Sequence, residues 1–93
     1  MFVGVLQAEL TIPASFSLKD KRHALKGLLE RTRRDFGVSA AEVDRLDVWN
    51  SAIVGVAFVS NDARHARSHL QKVLNALERD REVVVADAQI EVF

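Results

Sequence analysis

The chain has 93 residues, of which 48% are hydrophobic and 28% are charged, a composition that indicates one globular domain and argues against disorder. The 13 Lys and Arg residues balance 13 Asp and Glu residues, which excludes a basic footprint over the whole molecule but leaves a local one open. The chain contains no cysteine, so disulfides, thiol catalysis and thiolate metal sites are excluded. We therefore expect a cytoplasmic protein, and the first residues resemble neither a signal peptide nor a membrane span.

The first strand and the first helix have clear boundaries in the sequence. Phe2 to Ile12 alternates apolar and polar residues, which predicts a β-strand. Ser17 and Asp20 form a variant of the capping box, so a helix is expected to begin directly after Ser17. Apolar residues at helical spacing follow, and Gly37 is a typical helix end. These signals predict a helix over residues 18–36.

The rest of the chain predicts two strands, a second helix and a last strand. Val38 to Asp44 is a weak strand candidate, whereas Val48 to Ser60 is a strong one whose centre is apolar on both faces. Asp62 is the last of three successive N-cap candidates, and a helical period of apolar residues continues from there to about Arg79. Glu82 to Phe93 alternates again and predicts the closing strand.

The predicted order of elements is β-α-β-β-α-β. Two right-handed βαβ crossovers joined by a hairpin give a ferredoxin-like sandwich of the α+β class, with two helices on one face of a four-stranded antiparallel sheet. Its strand order is 4-1-3-2. We expect residues 1–93 to form this single domain.

Such a sandwich leaves the sheet face opposite the helices uncovered, and we call it the open face. Placing the even-numbered residues of the first and last strands in the core puts their odd-numbered residues on the open face. Together with an apolar set from the third strand, the apolar residues among these are predicted to form one contiguous patch: Val3, Val5, Val83 and Val85. Monomers rarely expose such a patch, so a homodimer with two-fold symmetry is predicted to bury it. The alternative is an ordinary surface with scattered valines.

Positive charge is concentrated on the first helix. The residues predicted to contact RNA phosphates from this helix are Lys19, Lys21, Arg22, Lys26, Arg33 and Arg34. The helix N-terminus adds the positive end of its dipole. The alternative is a solvated helix face that keeps the protein soluble. Base stacking on the open face is not expected, because the first strand offers no aromatic platform beyond Phe2 at its edge and Glu9, Asp87 and Glu91 would repel phosphate.

No pattern in the sequence points to catalysis or to a bound metal. Asp62, His65 and His69 lie along one side of the second helix, but the segment lacks the glutamate of a zinc hydrolase and two arginines oppose a cation. Solvated histidines are the default interpretation, and the role of these three residues stays open. Trp49 is interpreted as a core or interface anchor. We expect no metal and no cofactor, and an enzyme with a site between subunits remains a third alternative.

Several short segments resemble a known bacterial family. They are Gly4-Val5, Glu9-Leu10, Ile12-Pro13, Ser17-Leu18-Lys19-Asp20-Lys21-Arg22, Val38-Ser39, Ala41-Glu42-Val43, Asp47 with Trp49, and Val59-Ser60-Asn61-Asp62. Together they are similar to the YlxP-like family, domain of unknown function 503. The resemblance implies a small cytoplasmic ferredoxin-like protein whose gene lies among those for translation and ribosome maturation. Such proteins have no established catalytic residues, so the resemblance assigns none to this chain. The predicted function is non-enzymatic binding, with ribosomal RNA or a ribosome-assembly intermediate as partner. The alternative is a protein-interaction module that dimerises through the open face and has no role with RNA.

Overall fold

The computed structural model describes residues 1–93. Its elements are β1 (Phe2–Thr11), α1 (Leu18–Phe36), β2 (Ser39–Asp44), β3 (Ser51–Ser60), α2 (Ala63–Arg79) and β4 (Val84–Val92). The strands form one antiparallel sheet in the order β2-β3-β1-β4. This confirms the predicted βαββαβ sandwich and its strand order.

The capping residues fix both ends of α1 where the sequence predicts them. The Ser17 hydroxyl accepts a hydrogen bond from the Asp20 N–H at 3.0 Å, and the Asp20 carboxylate accepts one from the Phe16 N–H at 3.1 Å. At the other end, Gly37 has a left-handed backbone with φ of 61°, and its N–H donates to the Arg33 carbonyl. Glycine adopts this conformation without the steric cost of a Cβ, which explains why the helix ends there.

A single core lies between the sheet and the two helices. It holds 16 buried residues, among them Leu25 and Leu28 of α1 and Leu70 of α2, packed on the even-numbered side chains of β1 and β3. At Gly4 the second helix packs directly on β1, because a Cβ there would lie 2.7 Å from the Leu70 Cδ1 atom. Both amphipathic helices therefore cover the same face of the sheet, as predicted.

The last strand departs from its predicted orientation. Leu10 pairs with Val85 while the preceding Glu9 pairs with Asp87, so β4 contains a bulge with one extra residue. The bulge reverses the alternation of side chains on its N-terminal side. Val83 is buried and Val85 packs against the core, whereas Val84 is exposed. The prediction that Val83 and Val85 lie on the open face is therefore wrong, and neither residue can belong to a dimer interface there.

Candidate nucleic-acid interface

Charge is separated between the two sides of the molecule. The helices α1 and α2, which we call the helical layer, carry 11 of the 13 Lys and Arg residues and only four of the 13 Asp and Glu residues. The sheet and the loops carry the remaining carboxylates. A chain of zero net charge thus presents a positive helical layer, and such a field attracts polyanions.

Three of the predicted phosphate-binding residues lie free on the surface of α1. Lys19, Arg22 and Lys26 are exposed, and none of them takes part in any of the four ion pairs of the structure. At 100° per residue they point within about 60° of one another along one flank of the helix. We call these three residues the basic trio.

Lys21 has a different role from the one predicted. Its side chain is 0% exposed, and its Nζ atom lies 2.8 Å from a Glu42 carboxylate oxygen, 2.8 Å from the Arg45 carbonyl oxygen and 3.1 Å from that of Ser51. The prediction that Lys21 contacts RNA is wrong, because its ammonium donors are already used inside the protein. The spacing of four residues to the buried Leu25 is the sequence signal that places Lys21 on the core side of the helix.

The partner of Lys21 is Glu42, the last residue of β2 before a bulge. Glu42 pairs with Val54, whose side chain faces the helices, and the register then shifts so that Asp44 is next to pair. The extra residue, Val43, lies over Gly55 on the open face. Glu42 therefore lies on the same side of β2 as the buried Ala40, under α1, and its ion pair with Lys21 connects α1 to the β2–β3 hairpin.

The two arginines near the end of α1 are already engaged. Both Nε and Nη2 of Arg33 donate to the Ala40 carbonyl, at 3.0 and 2.6 Å, and the guanidinium covers the edge of β2. Arg34 pairs with its neighbour Asp35 at 3.0 Å on the exposed surface. Such exposed pairs contribute little free energy, so Arg34 can exchange its partner more readily than Arg33 can.

An exposed aromatic pair lies beside the N-terminus of α1. The rings of Phe16 and Trp49 stack with centroids 6.2 Å apart and planes inclined by 21°, and these residues are 78% and 45% exposed. We call them the aromatic pair. Trp49 thus lies outside the core. Sequence reasoning missed the pair because its members are far apart in the chain, and only the fold brings the two loops together.

The loops that carry the aromatic pair are held by backbone hydrogen bonds. The buried Ser15 hydroxyl donates to the Trp49 carbonyl, and the Ile12 N–H donates to the Asn50 carbonyl at 2.9 Å. The Phe16 N–H is bound by Asp20 as described above. The backbone positions of Phe16 and Trp49 relative to α1 are therefore set by the fold.

The three potential metal ligands near the start of α2, Asp62, His65 and His69, make contacts within the protein. Asp62 caps α2 by accepting hydrogen bonds from the Arg64 and His65 N–H groups. His69 is half-buried against Phe58, and its Nε2 donates to the Phe36 carbonyl at 2.7 Å. His69 therefore satisfies a carbonyl at the end of α1 and is not a solvated histidine. Nowhere in the chain do three potential metal ligands lie close enough together to hold an ion.

The open face divides into an apolar half and an acidic half. The apolar half surrounds a depression of about 560 Å³ that is lined by Val5, Val43 and Gly55, among others. Val59 lies farther along β3 and is 59% exposed. The acidic half runs across the sheet from β4 to the end of β2 and contains Gln7, Glu9, Asp44, Asp87 and Gln89. Only Glu9 among these carboxylates has an ion-pair partner, Arg45. This half would repel phosphate, in agreement with the sequence-based expectation.

Neither helix has the length and the apolar composition needed to cross a membrane.

Three comparisons place this chain among known proteins. The family model described as "Protein of unknown function (DUF503)" matches residues 3–90. The "Uncharacterized protein YlxP" of Bacillus subtilis (strain 168) is 33% identical over 81 residues, which cover 87% of this chain and 88% of that protein. A de novo designed protein with a ferredoxin fold, solved by NMR, superposes with a TM-score of 0.56 and 10% identity over 100% of this chain and 84% of its own, a likeness of fold alone. The family match covers nearly the whole chain, and the protein belongs to the DUF503 family.

Proposed function

We propose that this protein is a non-enzymatic, cytoplasmic RNA-binding protein that holds the phosphate backbone with the basic trio of α1. The observation that carries this proposal is the state of the trio: Lys19, Arg22 and Lys26 are exposed and unpaired on one flank of the helix. Among the other predicted cations on α1, Lys21 and Arg33 are bound within the protein, and Arg34 is held only by an exposed ion pair. Ribosomal RNA is the first candidate ligand, because the family resemblance implies genes of ribosome maturation as neighbours.

The physical basis of binding is the release of counterions from RNA. Each phosphate neutralised by Lys or Arg lowers the slope of log affinity against log salt by about 0.7 to 0.9. Three contacts therefore contribute about two to three units of slope. Backbone contacts of this kind orient an RNA without reading its sequence, and the positive helical layer accelerates its approach.

The test compares two variants with the same change in charge. One replaces the trio (Lys19→Gln, Arg22→Gln, Lys26→Gln), and the other replaces three exposed, unpaired cations of α2 (Arg64→Gln, Lys72→Gln, Arg79→Gln). Affinity for a labelled fragment of ribosomal RNA is measured by fluorescence anisotropy as a function of salt. We expect the slope of log affinity against log salt to become about two units less steep in the trio variant and to change much less in the α2 variant. Equal losses in both variants would contradict the assignment to α1.

Self-association through the apolar half of the open face is a second candidate function. The observation that favours it is the exposure of Val59 and Val43 around the depression at Gly55. Val59→Glu places a charge in this half, and Val84→Glu is a matched control in the acidic half. If the protein dimerises through the apolar half, Val59→Glu yields monomers in sedimentation velocity while Val84→Glu leaves the mass unchanged. A dimer that persists in both variants would rule out this interface.

A further inference from the structure

The aromatic pair differs from the other exposed aromatic residues, Phe2 and Phe93, because its two rings stack on each other. Phe36 and Phe58 pack against the core, and the leucines of both helices are largely buried. Phe16 and Trp49, in contrast, stack on each other in solvent with most of Phe16 uncovered. Exposed aromatic rings that lie next to each other can bind another ring system by stacking on its flat face.

The pair is preorganised. Ser15 binds the Trp49 carbonyl, and Asp20 binds the Phe16 N–H, so the backbone next to each ring is held. Lys21 adds a further link, because it binds the Arg45 and Ser51 carbonyls at the two ends of the loop that carries Trp49. A surface that is ordered before it binds avoids much of the entropy cost of binding.

The pair and the basic trio belong to one end of the molecule. Phe16 directly precedes the N-cap Ser17, and Lys19 and Arg22 follow within the first two turns of α1. Exposed rings beside unpaired cations are the combination that binds single-stranded nucleic acid, in which bases stack on the rings while the cations hold the backbone. Bases in a duplex have no free faces and cannot use the rings in this way.

From these observations we infer that the aromatic pair is a stacking platform for unpaired bases, and that the RNA is single-stranded where it meets the N-terminal end of α1. This inference rests on the proposed function and specifies the form of RNA that the basic trio binds. It also locates base stacking in the loops rather than on the sheet, whose open face carries unpaired carboxylates.

Trp49 supplies a direct probe, because it is the only tryptophan of the chain. An oligouridine strand and a blunt-ended duplex of two complementary strands, with the same total number of phosphates, are titrated into the full-length protein while Trp49 fluorescence is recorded. We expect quenching by the single strand and little change with the duplex. Anisotropy of labelled versions of both RNAs, measured across a salt series, reports binding independently of the tryptophan.

Variants assign the stacking to its residues. Phe16→Leu and Trp49→Leu keep apolar bulk but remove the ring, and each is expected to weaken single-strand binding at least about fivefold while leaving the salt slope unchanged. Trp49→Phe is expected to bind within about twofold of the native chain, because it keeps a stacking ring. Phe93→Leu is the matched control, since Phe93 is an exposed ring at the far end of the chain, and it should leave affinity unchanged. Circular dichroism confirms that each variant is folded.

The outcomes separate this inference from the proposed function. Salt-dependent binding of both RNAs with equal affinity, without quenching and without an effect of Trp49→Leu, overturns the inference and leaves the proposed function intact. The absence of salt-dependent binding to either RNA overturns the proposed function. If Phe16→Leu and Trp49→Leu alter the sedimentation of the protein but not its RNA affinity, the pair is a protein contact and the inference is wrong.

Discussion

The helical layer and the open face differ in how they use charge and apolar surface. The helical layer exposes unpaired cations and buries its leucines against the sheet, whereas the open face exposes valines in one half and unpaired carboxylates in the other. A polyanion is therefore attracted to the helical layer and repelled by the acidic half of the open face, whereas the apolar half of the open face offers exposed valines to an apolar partner. The comparison shows that a net charge of zero says little about the partners of a small protein, because the fold decides which charges are neighbours.

The largest effect on stability is expected at the ion pair between Lys21 and Glu42, which joins α1 to the β2–β3 hairpin. Replacing Lys21 by Met removes the ammonium group that binds Glu42 and three backbone carbonyls, and it leaves a largely buried carboxylate without a partner. Breaking a buried ion pair in this way costs about 3 to 5 kcal/mol. Urea unfolding followed by circular dichroism measures the change in the free energy of unfolding.

The double variant Lys21→Met with Glu42→Leu serves as the control for this prediction. Because it removes both charges, it should recover much of the loss. A loss below about 1 kcal/mol for Lys21→Met alone would mean that Lys21 is not an essential link between α1 and the hairpin.

Two glycine variants compare the stability effect of a Cβ between β1 and α2 with that of a Cβ on the outer surface of α1. Gly4→Ala places a Cβ against the buried Leu70 and Ala66, and we expect it to lower the free energy of unfolding by about 1 to 2 kcal/mol. Gly27→Ala meets only the flexible guanidinium of Arg31 and should raise that free energy by about 0.5 to 1 kcal/mol. Thermal unfolding of both variants tests the signs. A stabilising Gly4→Ala would show that α2 does not pack closely on β1.

The smallest predicted effect compares a carboxylate near the proposed RNA-binding surface with one far from it. Asp47 precedes Trp49 by two residues and has no ion-pair partner, so it opposes phosphate there. Asp47→Asn should tighten RNA binding about twofold, an effect typical of one exposed charge. Asp87→Asn changes the net charge equally on the open face and should leave anisotropy titrations unchanged. Equal effects of the two variants would indicate that only net charge matters.

Much of the fold could be predicted from local signals, because they agree with one another. The capping residues around Ser17 and the glycine at 37 set α1 to the residue, and the alternation in β1 identifies its core side. Val83 and Val85 could not be assigned correctly, since a bulge shifts the alternation by one residue and has no clear signal in the sequence. The side chains near such an irregularity are therefore the least predictable part of the sheet.

The candidate site was predictable only in part. The charge pattern of α1 identifies Lys19, Arg22 and Lys26 as candidates. The sequence does not show which cations of this helix are already bound by other groups of the protein. Lys21 is bound by the hairpin and Arg33 by the edge of β2. The aromatic pair depends on two loops that meet only in the folded chain. Sequence spacing reports on residues within one element, and contacts between elements require the tertiary structure.

The most direct measurement of the central claim is a titration of the isotope-labelled protein with an oligouridine strand, followed by two-dimensional NMR. We predict that the backbone signals of Lys19, Arg22 and Lys26 and the indole signal of Trp49 shift together, while signals of the open face such as those of Val5 and Ala57 do not. Shifts confined to the open face, or no shift at low salt, would contradict the account.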